Sequence, residues 1–142
     1  MIVKTPLRVS LFGGGSDMSE HFNKSEGHVV GFTINKFIHN AAINTKFDQG
    51  YKFRLSYRLN EEVQLSNEIV HPIYKVILNK NSLEGRWHFL SITDVPAGSG
   101  LGSSSTFTVG LIKLVKKILE QDYKDPKKIA LEAIDIERNI LN

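Results

Sequence analysis

The chain contains no cysteine, which excludes disulfide frameworks, thiolate zinc sites and thiolate nucleophiles. It also lacks an apolar run near the roughly 18 residues that span a bilayer as a helix. The N-terminus has one lysine before a short strand-like segment and no apolar core of a secretory signal. Neither sign of charge dominates: 18 Lys and Arg stand against 15 Asp and Glu, a formal charge of +3. This balance points to no nucleic-acid or membrane partner, and the absent cysteines are compatible with the reducing cytoplasm. Lys113, Lys116 and Lys117 share one side of a helix at i, i+3 and i+4. No aromatic residues interleave with them to stack bases, so they read as a solvated face. The five histidines, His21, His28, His39, His71 and His88, show no metal-ligand spacing, and His71, just before Pro72, reads as structural.

What is present begins with glycine. In Pro96-Ala97-Gly98-Ser99-Gly100-Leu101-Gly102-Ser103-Ser104-Ser105, three alternate glycines lead into three serines, and an amphipathic segment starts at Thr106. Glycine lets a ligand approach the main chain, and the unpaired amides of a helix start favour an anion. Serine hydroxyls add donors to phosphate or a ligand to Mg²⁺. The competing reading is a glycine-rich turn with a serine N-cap. Two other phosphate loops are excluded. A P-loop needs Gly-Lys-Ser/Thr, but Ser103 follows Gly102 and no lysine occurs before Lys113. A dinucleotide fingerprint needs an acid at the end of a second strand. Asp122 has the spacing, but the helical period of Phe107, Leu111, Leu114 and Ile118 leaves no room for that strand.

At 142 residues and 41% hydrophobic content, the chain fits one domain with a sizeable core. Strands come first and helices later, which implies α+β. Leu7, Val9 and Leu11 alternate with Arg8 and Ser10, placing Arg8 opposite the apolar face. A helical turn is expected after Asp17. Strands are expected over 29–34, 37–43, 51–57 and 87–92, and helices over 72–78 and 104–119. Asp125-Pro126 starts a last helix whose apolar stripe is Ile129, Ala133, Ile136 and Ile140.

The glycine-serine loop resembles the phosphate-binding motif of the GHMP kinases, the superfamily of galactokinase, homoserine kinase, mevalonate kinase and phosphomevalonate kinase. Thr5-Pro6-Leu7-Arg8-Val9-Ser10-Leu11-Phe12-Gly13-Gly14-Gly15-Ser16-Asp17 is similar to its N-terminal sugar-binding motif. The Gly-Gly-Gly-Ser-Asp form resembles the heptose-phosphate kinase branch, with fucose kinases next. Leu55-Ser56-Tyr57 and Glu68-Ile69-Val70-His71-Pro72-Ile73 resemble that branch as well. Galactokinases carry Glu-His at Gly14-Gly15, which argues against galactose.

The resemblance implies a GHMP N-terminal, ATP-binding domain over 1–142. Its fold is a two-layer arrangement related to a ribosomal-protein domain, with a mixed sheet and a left-handed βαβ crossover. It further implies a kinase using ATP and Mg²⁺ on the anomeric hydroxyl of a heptose 7-phosphate, or on fucose or another hexose. Nucleotide-binding residues would be Pro96, Gly98, Ser99, Gly100, Leu101, Gly102, Ser103, Ser104 and Ser105, with Ser104 and Glu137 on the metal. Gly13, Gly14, Gly15, Ser16 and Asp17 would bind sugar. Arg8 would stabilise charge on the transferred group. By pattern alone, Arg8 is an exposed strand arginine, Asp17 a cap for the next turn and Glu137 a surface acid. The superfamily's glycine-glutamine-aspartate segment with its catalytic base follows the Glu137 helix and lies outside this sequence, as does the C-terminal domain. The chain is therefore expected to be an N-terminal part that lacks turnover and self-associates, at least as a dimer. A non-catalytic nucleotide-binding or interaction module is the alternative of another class.

Overall fold

The computed structural model describes residues 1–47, 50–121 and 124–140. The first strands are β1 (Ile2–Phe12) and β2 (Val30–Thr45), joined through the short helix α1 (Ser19–Phe22). Strands β3 (Phe53–Ser56) and β4 (Asn60–Val63) form a second antiparallel pair. Helix α2 (Pro72–Lys80), strand β5 (Arg86–Thr93) and helices α3 (Ser103–Ile118) and α4 (Pro126–Asp135) follow. The five strands make one mixed sheet in the order β1-β2-β5-β3-β4. β3 and β5 are parallel, and the chain crosses between them through β4 and α2. The fold is α+β, as the element order implies.

Two corrections concern strands. The expected separate strands over 29–34 and 37–43 are one strand of 16 residues. β1 pairs on both sides of the polar Asn35-Lys36, from Val30 with Phe12 to Ala41 with Ile2, and the strand runs unbroken through an irregular register between Pro6 and Arg8. β5 pairs only with its Ile38–Thr45 half. The distal part of the β1–β2 ribbon therefore extends past β5 and carries Arg8 and the following glycines. Pro6 is tolerated because β1 is an edge strand. β4 is the other correction. Its Asn60-Glu61-Glu62-Val63 sequence is short and polar, and pairing with β3 holds it.

Helices cover one sheet face. Leu7, Leu55, Tyr74, Phe89, Leu111 and Ile136 are fully buried between the layers. A polar chain crosses this core. Asn40 is fully buried and its Oδ1 accepts from Ser91 Oγ at 2.6 Å, while Ser91 Oγ meets Tyr74 OH at 2.7 Å. Asn40 Nδ2 donates to the Phe107 carbonyl at 3.4 Å, so the network links β2, β5, α2 and α3.

Asp125 caps α4 as expected, accepting from the amides of Lys127 and Lys128. The stripe then departs from expectation. Ile129, Ala133 and Ile136 are buried, but Ile140 is 48% exposed. From Ile136 to Ile140 the chain forms a π-helical turn, whose wider pitch rotates Ile140 off the stripe. The lysine face is partly paired: Lys116 reaches Glu132 at 2.9 Å, a carboxylate that Lys80 of α2 also reaches at 3.6 Å. Asp122 lies outside the described residues. Among those described, no helix is long and apolar enough to cross a membrane.

Candidate functional site

The loop from β5 to α3 starts on a fixed footing. The Asp94 carboxylate accepts from the Phe37 amide at 2.9 Å and faces His39 at 3.3 Å. The Phe37 bond, then His39, hold its pKa below the usual aspartate value. Beyond it, Gly98, Gly100 and Gly102 all have positive φ. Gly102 is the N-cap of α3, at φ 70° and ψ 37°, and no side chain caps the helix. The serine-cap reading therefore fails, because Ser103 to Ser105 lie inside the first turn. A helix start without a side-chain cap presents its amides to an anion.

The serine hydroxyls have another partner. Ser104 Oγ donates to Glu137 Oε1 at 3.3 Å, and Ser105 Oγ donates to Oε2 at 2.9 Å. Thr108 Oγ1 donates to Oε1 at 3.0 Å. Glu137 is half-buried on the π-helical turn, and the surface-acid reading does not describe it. Ser104 and Glu137 are thus brought together across 33 positions of sequence.

Arg8 joins this loop to the ribbon. Its amide donates to the Leu101 carbonyl at 3.3 Å. Its guanidinium lies against Gly102, where an added Cβ would stand 3.0 Å from Cζ. Arg8, Ser10 and Asp17 line an open cavity of about 350 Å³ with Val30, Gly31 and Thr33. The glycine turn at its rim is tied down by Ser16 Oγ, which reaches the carbonyls of Gly13 and His28 at 2.8 and 2.9 Å. Asp17 Oδ1 accepts from the Gly15 amide, which precedes it in the chain, at 3.1 Å. Gly14 is exposed beside them.

A second, mostly apolar cavity of about 240 Å³ adjoins the glycine-serine loop. Ile38, Tyr57, His71, Ile92 and Phe107 line it, with Ser103 and Ser104 at one end. The His71 ring packs within 4.8 to 5.3 Å of Tyr57, Tyr74 and Phe107 and caps α2 through Nδ1. Burial pushes its pKa down, which supports its structural reading. Tyr57 donates to Glu61 at 2.6 Å, and burial with that bond raises its pKa to about 12. No local pattern marks this cavity, because its lining comes from five separate stretches of sequence.

Among the described residues, no group of three His, Asp or Glu could hold a metal. One carboxylate and neighbouring hydroxyls do fit Mg²⁺ that arrives with phosphates, since that ion commonly takes one or two carboxylates plus substrate oxygens.

Residues 67–142 match the family described as GHMP kinases N terminal domain. Over 97% of its length the chain is 35% identical to D-glycero-alpha-D-manno-heptose 7-phosphate kinase of Campylobacter jejuni. It superposes on a D-glycero-D-manno-heptose 1-phosphate kinase from Bacteroides thetaiotaomicron with TM-score 0.83 and 27% identity, over 99% of the chain. The mevalonate kinase of Methanococcus jannaschii shares the fold, with TM-score 0.68 at 20% identity over 97% of the chain. The chain spans 43% to 48% of the length of these three proteins. An uncapped glycine-rich helix start, a glutamate gathered to its serines and a matching family over more than half the sequence lead to one assignment: the chain belongs to the GHMP kinases.

Proposed function

We propose that this chain forms the ATP- and sugar-binding half of a sugar kinase. The transferred group is the γ-phosphoryl of ATP, and the acceptor is the anomeric hydroxyl of a heptose 7-phosphate. The observation that carries the reading is the convergence at the start of α3: open amides, Ser104 with Glu137, and Arg8 shared with the Asp17 cavity. Phosphoryl transfer depends mainly on positioning and charge stabilisation, which such a set supplies.

In this reading the triphosphate lies on the amides from Gly98 to Ser105, and its base enters the apolar cavity beside Tyr57, His71 and Phe107. Ser104 and Glu137 would hold Mg²⁺, which neutralises phosphate charge when bound. Asp17 accepts hydrogen bonds from sugar hydroxyls, and the main chain of Gly13 to Ser16 admits the sugar closely. Arg8 faces the position between the two ligands, where charge develops on the moving phosphoryl group. The acceptor oxygen forms its bond to the γ-phosphorus as the bond to ADP breaks. The hydroxyl proton passes to the general base expected in the segment that follows the Glu137 helix.

The test is ADP release by the full-length gene product with heptose 7-phosphate, heptose 1-phosphate, fucose and hexose phosphates. Turnover highest with heptose 7-phosphate is expected. A preference for heptose 1-phosphate would move the acceptor hydroxyl, and a preference for fucose would replace the substrate. Absence of Mg-ATP binding by calorimetry would overturn the kinase reading.

A further inference from the structure

The π-helical turn puts Glu137 and Arg138 side by side, and they address two different parts of the molecule. Glu137 is bound by Ser104, Ser105 and Thr108 of α3. Arg138 reaches the glycine turn at the other end of the sequence. Its Nη2 donates to the Asp17 carbonyl at 2.6 Å and contacts Met18 Sδ at 3.5 Å. Its Cζ lies 5.9 Å from the Phe22 ring centroid, over α1. Asp17 and Arg138 are 121 positions apart.

The glycine turn needs such a tie. It sits at the distal end of the ribbon, beyond the reach of β5. Bonds such as Ser16 Oγ to Gly13, the Gly15 amide to Asp17 and the Met18 amide to Gly15 are local to the turn. They fix its shape but not its distance from α3. Arg8 ties the ribbon to the loop before α3, through its amide on the Leu101 carbonyl and its guanidinium against Gly102. Arg138 adds the tie on the turn itself, because its backbone belongs to the turn that holds Glu137 on α3. A guanidinium suits this role, since its planar fork of donors meets a carbonyl, a sulfur and a ring face together. The acceptor is a main-chain oxygen, so the Asp17 carboxylate stays free of the guanidinium.

We propose that Arg138 is a positioning residue that sets the Asp17 turn at its working distance from the phosphate helix. What the turn binds rests on the kinase reading above, whereas the clamp itself rests on the contacts of Arg138. A ligand shared between the turn and α3 is bound productively only when that distance is held, and errors of about 1 Å cost up to ~100-fold in rate.

Arg138→Gln and Arg138→Lys test the proposal in two arms. Hydrogen exchange is followed on the 142-residue chain. In Arg138→Gln, amides 13–22 should exchange at least about fivefold faster, while those of α3 and the unfolding midpoint stay unchanged. Unchanged exchange over 13–22 would overturn the proposal. So would equal acceleration everywhere with a lower midpoint, which marks a merely stabilising arginine. Kinetics are measured on the full-length enzyme. Arg138→Gln should raise the sugar-phosphate KM about tenfold and leave the ATP KM within about twofold, with part of the loss recovered in Arg138→Lys. An unchanged sugar KM, or equal rises in both KM values, would overturn it. Absence of wild-type turnover with every sugar phosphate would defeat the kinase reading instead, and the exchange arm would still decide the clamp.

Discussion

Glu137 shows how a residue's neighbours change its meaning. Three hydroxyls hold its carboxylate over the first turns of α3, so its charge is placed before any ligand arrives. Glu137→Gln keeps the shape and removes the charge. Mg-ATP affinity, measured by calorimetry, is expected to fall about tenfold or more, the scale of a lost charge-assisted contact of about 1.5–3 kcal/mol. An affinity within about twofold of wild type would exclude Glu137 from the metal. Arg8, Asp17, Ser104 and Glu137 are legible as candidates because their motifs have a recognisable order in sequence. Their convergence is not, since the contacts span up to 33 positions between Ser104 and Glu137 and more between Arg8 and Gly102. Arg138 is invisible for the same reason: beside a helical glutamate it reads as any surface base, and its acceptor is a main-chain oxygen with no side-chain signature.

Elements with strong periodicity or clear caps are legible in the sequence. α2 and α4 begin where proline follows a capping residue, and β5 and α3 fall within a residue or two of expectation. What escapes depends on pairing or pitch: the continuity of β2, the existence of β4 and the π-helical turn. Packing likewise reverses local preference at Gly110. A Cβ there would lie 2.5 Å from Asn40 Nδ2 and 2.6 Å from Thr5 Oγ1, and Asn40 is locked in its buried network. Alanine is the better helix former by about 1 kcal/mol. Overpacking costs about 1–3 kcal/mol, so Gly110→Ala is expected to lower stability in denaturant unfolding. A gain in stability would mean that α3 can move away from the sheet. The cap of α2 carries a pH dependence. Burial holds the folded His71 below its ordinary 6.5. Below about pH 6.5 the unfolded chain therefore takes up a proton that the folded chain refuses, and stability falls with pH. Protonation at Nδ1 also removes the acceptor for the Tyr74 amide. Glu61 is pushed up by burial but held lower overall by Tyr57 and the Val70 and His71 amides, so it titrates below this window. His71→Asn retains a capping acceptor that does not titrate there. Its unfolding midpoint should change less between pH 7.5 and about 5.5 than that of wild type, leaving a smaller slope from His88, which burial also holds low. An equal slope in both proteins would remove His71 as its source.

On the scale of the whole molecule, the sheet is dressed on one side only. Its helix-covered face buries Ile38, Ala42 and Phe89. On the opposite face, Ile2 stands beside Ala41 and Ala41 beside Leu90, with Ile43 and Ile92 one step along their strands. Ile2, Ile43, Leu90 and Ile92 are 67%, 61%, 39% and 55% exposed. Linked through Ala41, with His88 opposite Ile43 and His39 opposite Ile92, these side chains form an apolar patch across three strands, unlike isolated exposed leucines, which need no explanation. Lys4, Arg54, His88 and the His39–Asp94 pair lie around it, the arrangement of an apolar centre with a polar rim. The 142-residue chain alone is therefore expected to self-associate through this face. Light scattering should show a mass that rises with protein concentration, and Ile43→Lys should shift the chain toward monomer without lowering its unfolding midpoint. The substitution places a charge where a second sheet would lie, while its own site in the monomer is already solvated. A constant monomer mass across a wide concentration range would show that the exposed row is too small or too twisted to hold a second copy. Association unaffected by Ile43→Lys would move the contact to another surface.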